Sequence, residues 1–435
     1  MKHFVYAHLF SPRRSSCKHG FALSLSKTFL LLAAVAAFGT AAAETAKTPK
    51  AKTSKAVYRI SAANAPTWAV VRDVPADAAG ATVYLLDGHR TEIPSQLDDL
   101  DGDGRFDELV FPVPASAQPL RVRVDYSTAP VAHAYTPQVN AQMWWKNPDK
   151  SLTETSQLSS DKDDMYHKLH HHGPAFESEY AAYRIYFDKK QSVDTYGKKQ
   201  PRLELRETMW YPSDEQLAAG YGHDNLRVFG SVSVGALKGW NPAKRCMEHI
   251  VDMRRREATI RSRGPLRTVV DMRVEGWRYG GREIDMTSRY ILYGGGSVVK
   301  VENSIEGEAV DDLTFTTGVM KIADHRFRTL RRGDTCLLAT VGRDFPENDT
   351  LKWERETVGL AVWLPARQVL SQTDDAKSYL CQLHPLGGRI DYWFVMQWRK
   401  SGWLDEETFE ERCFAPEAGA PGSTPYPEVV VTRLR

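Results

Sequence analysis

Short stretches of alternating apolar and polar residues, separated by turn residues, run through most of the chain and restrict it to a β fold. The segment 259–307 shows this best, because the glycines at 280–281 and 294–296 divide it into strand-length pieces. Within 283–292, successive side chains of a strand would point to opposite sides. One side is then apolar and the other polar, which predicts an antiparallel sheet with one solvated face. The apolar side carries Ile284, Met286, Ser288, Tyr290 and Leu292.

The same pattern divides the chain into two β regions. Several short segments between 57 and 129 predict a small N-terminal β-sandwich. The remainder, 130–435, continues in the same way and predicts a much larger two-sheet sandwich. Only 214–221 and 405–413 indicate helix. We therefore expect an all-β protein.

The first 43 residues have the composition of a secretory signal peptide. They contain five basic and no acidic residues, and the apolar run 29–43 ends in small residues. The run is short for a membrane span and is interrupted by Gly39 and Thr40. We therefore expect cleavage after Ala43 and a flexible linker over 44–56. The product would be periplasmic or secreted, with no stable membrane anchor.

Charge and motifs exclude several classes of protein. Without the five basic residues of 1–43, the 55 acidic residues outnumber the lysines and arginines, whereas a nucleic-acid binder would be basic. No Walker loop, dinucleotide fingerprint or HExxH motif is present, so we expect no organic cofactor. An oxidising compartment permits up to two disulfides among Cys246, Cys336, Cys381 and Cys413. Their pairing and the number of subunits are left open.

An acidic segment of the small region predicts a structural calcium ion. Oxygen ligands at alternate positions suit calcium, and the first nine positions of a calcium loop are matched. The twelfth position is Val110 rather than Glu, so the segment is not an EF-hand. The alternative is an acidic turn capped by its own side chains. The candidate ligands are Asp99, Asp101, Asp103 and Asp107.

The stretch 169–188, LHHHGPAFESEYAAYRIYFD, concentrates ionisable residues around one segment. Interpreted as a single strand from 176 to 188, it aligns Glu177, Glu179 and Tyr183 on one side. The histidine loop that ends at His172 leads into this strand. A histidine, a tyrosine and a carboxylate at a strand end supply acid and base groups, so these four are the catalytic candidates. The alternative is that the charged groups pair across strands.

Five residues are candidates for substrate binding. Arg184 can hold a carboxylate through two hydrogen bonds. Lys198 lies in VDTYGK, and His223 and Asp224 lie in GYGHD, two glycine-containing segments typical of loops at the rim of a site. A strand would expose one residue of the Trp144 and Trp145 pair, and we expect Trp145 to contact substrate. The alternatives are turn chemistry and core packing.

Several of these stretches together resemble an uncharacterised family of secreted bacterial proteins. The motifs are HGPAFESEYAAYRIYFD, VDTYGK, GYGHDNL, RGPLRTVV, TFTTGVMK, YWFVMQWRKSGWLDEETFEE and QLDDLDGDGRFDELVF. That family is a domain of unknown function, often encoded beside pectin- and uronide-degrading enzymes. It is similar to galactose-mutarotase-like β-supersandwiches, in which polar and aromatic residues on a concave sheet face form the sugar site. The resemblance implies this fold for 130–435 and places His172, Glu177, Glu179, Tyr183, Arg184 and Lys198 in a groove.

The resemblance and the motifs predict a periplasmic carbohydrate-active protein that acts on acidic, uronic-acid-containing oligosaccharides. As a lyase of pectin-like glycans, it would neutralise the uronate with Arg184 or Lys198. As a hydrolase, it would use Glu177 and Glu179 as the carboxylate pair. Non-catalytic glycan binding, an aldose mutarotase or epimerase, and a scaffold role are left open.

Overall fold

The strands follow one another with few helices between them. The computed structural model describes residues 51–162, 165–414 and 424–434, so the expected signal peptide lies outside the described residues. The strands of the first region are β1 (Thr53–Ile60), β2 (Thr67–Val71), β3 (Gly80–Leu85), β4 (Thr91–Ile93), β5 (Gln96–Asp98), β6 (Glu108–Val113) and β7 (Leu120–Ser127).

The second region has three times as many strands. They are β8 (Val139–Gln142), β9 (Trp144–Lys146), β10 (Leu152–Glu154), β11 (Gln157–Ser160), β12 (Ala175–Ser178), β13 (Ala181–Ile185), β14 (Val193–Gly197), β15 (His223–Asp224), β16 (Lys238–Asn241), β17 (Cys246–Glu248), β18 (Arg255–Arg263), β19 (Arg267–Tyr279), β20 (Arg282–Tyr293), β21 (Val299–Glu306), β22 (Phe315–Met320), β23 (Arg326–Arg332), β24 (Thr335–Asp344), β25 (Glu356–Pro365), β26 (Val369–Asp374), β27 (Ser378–Leu383) and β28 (Arg389–Trp398). A last strand, β29, spans Val431–Leu434.

Helical elements are few and short in the described part of the chain, and the all-β prediction is confirmed. The helices are α1 (Met165–Lys168), α2 (Leu205–Thr208), α3 (Asp214–Ala218) and α4 (Phe409–Arg412), with 3₁₀ turns at Val310–Asp312, Ala366–Gln368 and Arg399–Ser401. None of the helices among the described residues has the length and apolar character needed to cross a membrane.

A small sandwich forms from two sheets with their own apolar core. One sheet has the order β29-β1-β7-β3-β4 and the other β2-β6-β5. Strand β1 begins at Thr53, inside the expected linker 44–56, because residues 53–55 already pair with β7. Strand β29 comes from the far end of the chain and pairs with β1. The small sandwich therefore combines residues from both ends of the described chain.

The large sandwich is built from a nine-stranded sheet that faces two five-stranded sheets. The nine-stranded order is β11-β18-β19-β20-β21-β28-β25-β24-β23. The five-stranded orders are β15-β14-β13-β12-β8 and β17-β16-β22-β27-β26. One continuous apolar core fills the space between them, including Met272, Met286, Phe315 and Phe394.

The nine-stranded sheet has an inner apolar face and an outer, mostly polar face. The alternation expected in 283–292 is confirmed, since Ile284, Met286, Ser288, Tyr290 and Leu292 are all buried on the inner side. Ile291 is the exception on the outer side, because it packs under the small sandwich against Leu100 and Val110. The segment with α4 covers the outer face of β24 and β25. The outer face between the small sandwich and the α4 segment remains partly open.

Candidate active site

The histidine-rich motif forms a hairpin rather than the single strand that the sequence suggested. Strands β12 and β13 pair antiparallel and turn at residues 179–180. The Ser178 hydroxyl accepts a hydrogen bond from the Tyr180 amide at 3.1 Å and stabilises this turn without glycine or proline. Phe176 lies opposite Tyr183, and Ala175 lies opposite Arg184. Glu177 therefore shares a face with Arg184, and the expected alignment of Glu177 with Tyr183 is wrong.

Glu177 is fully buried and its carboxylate is fully hydrogen-bonded. Lys198 Nζ donates to Glu177 Oε2 at 2.5 Å, and both side chains are inaccessible to solvent. The backbone amides of Glu204 and Leu205 also donate to this carboxylate, at 2.7 and 3.0 Å. The pair has the bonding of a structural ion pair that anchors α2. A substrate has no open side from which to reach it in this geometry.

Arg184 occupies the centre of a second buried network. It donates to Asp194 Oδ2 at 2.6 Å and to Asp224 Oδ2 at 3.1 Å. The Trp210 ring lies 4.4 Å from the guanidinium carbon. Burial, reinforced by the nearby Asp194, raises the pKa of Asp224. Arg184 and Asp224, both expected to bind substrate, are thus bonded to each other in the interior.

The other predicted residues are dispersed. Tyr183 is buried and donates to the Ser297 carbonyl at 2.6 Å. His172 stacks on Tyr166 with ring centroids 3.9 Å apart, and burial lowers its pKa to about 4. The remaining three residues have unrelated partners. Glu179, in the turn at 179–180, accepts a hydrogen bond from the Gly295 amide, and His223 lies 3.5 Å from Glu356. Trp145, in β9, packs against the edge of the core.

Three of the four acidic-loop residues come together. Carboxylate oxygens of Asp99, Asp101 and Asp107 lie within 4.8 Å of one another, and Asp103 is outside the group. All four side chains also accept backbone amides of the loop, for example Gly102 N to Asp99 at 2.7 Å. This bonding fits the alternative of a self-capped turn. The calcium site stays a prediction, which the melting temperature with and without chelator would test.

A different set of polar residues converges on the outer face of the nine-stranded sheet. Strand pairing places one residue from each of five adjacent strands in a line across β18, β19, β20, β21 and β28. We call this line the central row: Thr259, Asp271, Arg289, Glu302 and Asp391. Two further rows flank it, one with Arg273 and Arg389 and the other with Lys300 and Trp393.

Ion pairs order the central row and attach the acidic loop to it. Asp271 accepts from Arg261 at 3.0 Å and from Arg289 at 2.8 Å. The same two arginines donate to loop carbonyls, at 3.2 Å to Asp101 and 3.3 Å to Leu100. The loop thereby borders a hollow of about 320 Å³ that is lined by the partly buried Arg289 and Glu302.

Glu302 and Asp391 are directly opposite residues on β21 and β28, and both remain accessible. Their side chains are 23% and 40% exposed. Burial acts to raise the pKa of Glu302, but Lys300 at 2.8 Å, with help from Arg389 and Arg289, outweighs it and lowers that pKa. Burial raises the pKa of Asp391, and the charge of Glu302 adds to the effect although Arg389 opposes it.

Two neighbouring carboxyl groups with pKa values moved in opposite directions have the chemistry to act as an acid–base pair. A raised pKa favours the protonated carboxyl group, and a lowered pKa favours the carboxylate. Such a pair can protonate a leaving oxygen and at the same time attack or activate a nucleophile. One aromatic ring adjoins it, because Trp393 follows Asp391 two residues later on the same face of β28.

Sequence reasoning missed these residues, although their signal is visible. In VVKVENS and RIDYWF, polar and aromatic residues alternate with buried ones: Lys300, Glu302 and Ser304, then Arg389, Asp391 and Trp393. The same alternation in 283–292 predicts only a solvated side, because one strand by itself does not show which strands lie beside it. The signal that could have indicated a site is the repeated alternation of ionisable residues in several strands that are able to pair with one another.

Comparisons with known proteins give a family match and weak similarities to solved structures, two of which are described below. No curated protein gives a significant match. A solved glycosyl hydrolase family 38 protein from Enterococcus faecalis is 9% identical, with a TM-score of 0.40 over 88% of this chain and 47% of that one. An alpha-mannosidase from Enterococcus faecalis V583 is 9% identical, with a TM-score of 0.38 over 88% and 46%. The chain thus spans about half the length of these structures, and neither similarity is high enough to carry an argument.

The family comparison covers far more of the sequence. The model described as Domain of unknown function (DUF4861) matches residues 63–412, which include the histidine-rich hairpin, the acidic loop and the central row. Since this match extends over most of the chain, the chain belongs to that family.

Proposed function

We propose that this protein hydrolyses glycosidic bonds of acidic oligosaccharides on the outer face of its nine-stranded sheet. The observation that carries the proposal is the facing pair of Glu302 and Asp391, whose pKa values are moved apart while both remain accessible. A glycosidase needs one protonated and one ionised carboxyl group beside the scissile bond. The outer face offers two carboxyl groups on adjacent strands for these two roles.

In this mechanism Asp391 is the proton donor. Its raised pKa favours the protonated form, and the proton passes to the glycosidic oxygen as the bond from that oxygen to the anomeric carbon breaks. Glu302 remains ionised beside Lys300 and either attacks the anomeric carbon or activates a water molecule. Arg289 and Arg389 border the pair and favour an anionic sugar.

Activity on oligouronides tests the proposal. The protein is incubated with oligogalacturonides and with neutral oligosaccharides of equal length, and new reducing ends are counted. We expect Asp391→Asn and Glu302→Gln to lower turnover by roughly 10²-fold or more while binding is retained. Asp374→Asn is the matched control, because Asp374 is an exposed acid that pairs with Lys321 on another sheet.

The ultraviolet absorbance of the products separates hydrolysis from elimination. A lyase creates an unsaturated product that absorbs ultraviolet light with each new reducing end. If absorbance rises in parallel with the reducing ends, the reaction is elimination and not hydrolysis. No new reducing ends with any acidic or neutral glycan would overturn the proposal.

Non-catalytic glycan binding is the second candidate. It is favoured by the fact that each carboxylate already has a cationic partner, Lys300 for Glu302 at 2.8 Å and Arg389 for Asp391 at 3.1 Å. It predicts that the two carboxylate variants change affinity for oligouronides, and that the unaltered protein binds them without any turnover.

A further inference from the structure

A cavity of about 220 Å³ opens where the small sandwich meets the nine-stranded sheet. It lies one row away from the acid–base pair. Lys300 precedes Glu302 by two residues on β21, and Trp393 follows Asp391 by two residues on β28. Two residues of a strand span about 7 Å, so the cavity begins about that far from the acid–base pair.

Aromatic side chains from three parts of the chain wall this cavity. Trp68 of the small sandwich stacks on Tyr293 of β20, with ring centroids 5.1 Å apart and planes at 21°. Tyr426, from the segment that leads into β29, lies edge-on to Tyr293 at 5.7 Å and to Trp393 at 6.4 Å. Aromatic walls of this kind bury the apolar faces of a ring while leaving its polar edge free.

The lining of the cavity carries two cationic side chains, Arg72 and Lys300, and one acidic side chain, Glu428. Lys300 Nζ lies 5.6 Å from the centre of the Trp393 ring, and the Lys300 side chain is only 23% exposed. Arg72 borders the cavity with a side chain that is 71% exposed and paired at 2.9 Å with Glu108. Glu428 is the acidic residue of the lining and is exposed. An anionic ring would thus meet the Lys300 ammonium group, which also pairs with Glu302, and the exposed guanidinium of Arg72.

We propose that this cavity is the subsite for a uronate ring next to the cleaved bond, with Lys300 as the ligand of its carboxylate. Trp68 and Trp393 cover the ring, and the small sandwich is therefore part of the substrate-binding surface. This inference rests on the proposed function for the position of the cleaved bond. The presence of the cavity and of its charged lining does not depend on the proposed function.

Binding to a charged and a neutral ligand tests the subsite. Affinities for an oligogalacturonide and for its carboxyl-reduced, neutral analogue are measured by calorimetry in the Asp391→Asn background, so that turnover does not interfere. We expect Lys300→Met to weaken binding of the acidic ligand by roughly tenfold or more, through the lost charge-assisted hydrogen bond, and to spare the neutral one. Lys300→Arg should restore part of the preference.

Aromatic variants provide a second, charge-independent measurement. Trp68→Ala should weaken the binding of both ligands by roughly tenfold, and Trp68→Phe should recover much of the lost affinity. Tyr84→Ala is the matched control, because Tyr84 lies on the other sheet of the small sandwich, under Arg90 and Arg123. Circular dichroism and melting curves establish that each variant is folded.

The outcomes distinguish this inference from the proposed function. Cleavage of oligouronides together with unchanged binding in Lys300→Met and Trp68→Ala would overturn the subsite and leave the proposed function standing. Binding that depends on Lys300 and Trp68 without any cleavage would support the subsite and overturn the proposed hydrolysis. Equal affinity of the unaltered pocket for the acidic and neutral ligands would overturn the assignment to a uronate.

Discussion

Individual charged residues of this protein fall into two groups, which differ in what surrounds them. Glu177, Lys198, Arg184 and Asp194 are buried and bonded to each other or to backbone. Glu302 and Asp391 are bonded to neighbours but remain partly open to solvent. Only residues of the second group can replace a hydrogen bond to a neighbouring residue by one to a ligand without disrupting buried contacts.

The buried group should behave as part of the fold. Glu177→Gln leaves Lys198 without its counter-charge in the interior, so we expect a loss of about 3 kcal/mol or more in the free energy of unfolding. Urea denaturation measures this, and Asp374→Asn is the exposed control. Normal stability combined with lost turnover would instead support the catalytic role that the histidine-rich motif suggested for Glu177.

The partly accessible pair of Glu302 and Asp391 should set the pH range of activity. As pH rises through the raised pKa of Asp391, the proton donor is lost, and as pH falls through the lowered pKa of Glu302, the carboxylate is lost. The profile of kcat/KM should therefore be bell-shaped. Lys300→Met removes the first cause that lowers the pKa of Glu302, so the acidic limb should move to higher pH. If the acidic limb of the Lys300→Met profile does not move, Glu302 is excluded as the ionised group.

Strands and turns show which parts of this structure can be predicted. The polar and apolar sides of 283–292 follow from a period of two, and the glycines at 280–281 both adopt positive φ in the turn that was expected there. The hairpin at 179–180 was missed because its turn contains neither glycine nor proline. The acid–base pair was missed because Glu302 and Asp391 meet only through the pairing of β21 with β28.

Strand β16 carries a buried lysine that should make stability depend on pH. Lys238 Nζ has no hydrogen-bond partner among the described residues, and burial lowers its pKa from 10.5 to about 7. Between these values the unfolded chain binds the proton and the folded protein does not, so stability should rise with pH by up to about 1.4 kcal/mol per unit. The gain should be absent below the folded pKa and complete above the unfolded one.

Substitution of this lysine provides the control. Lys238→Met should abolish the rise and stabilise the protein at neutral pH. Urea denaturation at several pH values from 7 to 10 measures both effects in the variant and the unaltered protein. An equal rise in the two proteins would show that other groups cause it.

The whole molecule joins its small and large sandwiches through two kinds of contact. An apolar cluster with Val110, Val269 and Ile291 seats the small sandwich on the outer sheet face. Buried Arg267 of β19 also pairs with Asp98 and Glu108 of the small sandwich, each at 2.7 Å. The small sandwich thus borders the hollow beside Glu302 and the aromatic cavity.

Strand β29 should be required for the integrity of the small sandwich. Deletion from Val431 onward unpairs the edge of β1 and uncovers part of its apolar core. We expect limited proteolysis to cut within residues 53–127 of the shortened protein while the large sandwich resists. The full-length protein, treated in parallel, is the control. Resistance of 53–127 in the shortened protein would show that docking alone holds the small sandwich.

The pairing of β1 with β29 also determines the order in which the protein can be completed during synthesis. Domains usually fold as units as they leave the ribosome. Here the Ser61 hydroxyl, just after β1, accepts a hydrogen bond from an amide 369 residues later. The nascent chain therefore carries an unpaired strand edge until almost all described residues have been made, and such an edge is a template for association with other chains. Chaperones that bind extended segments would find their target in β1 throughout that interval.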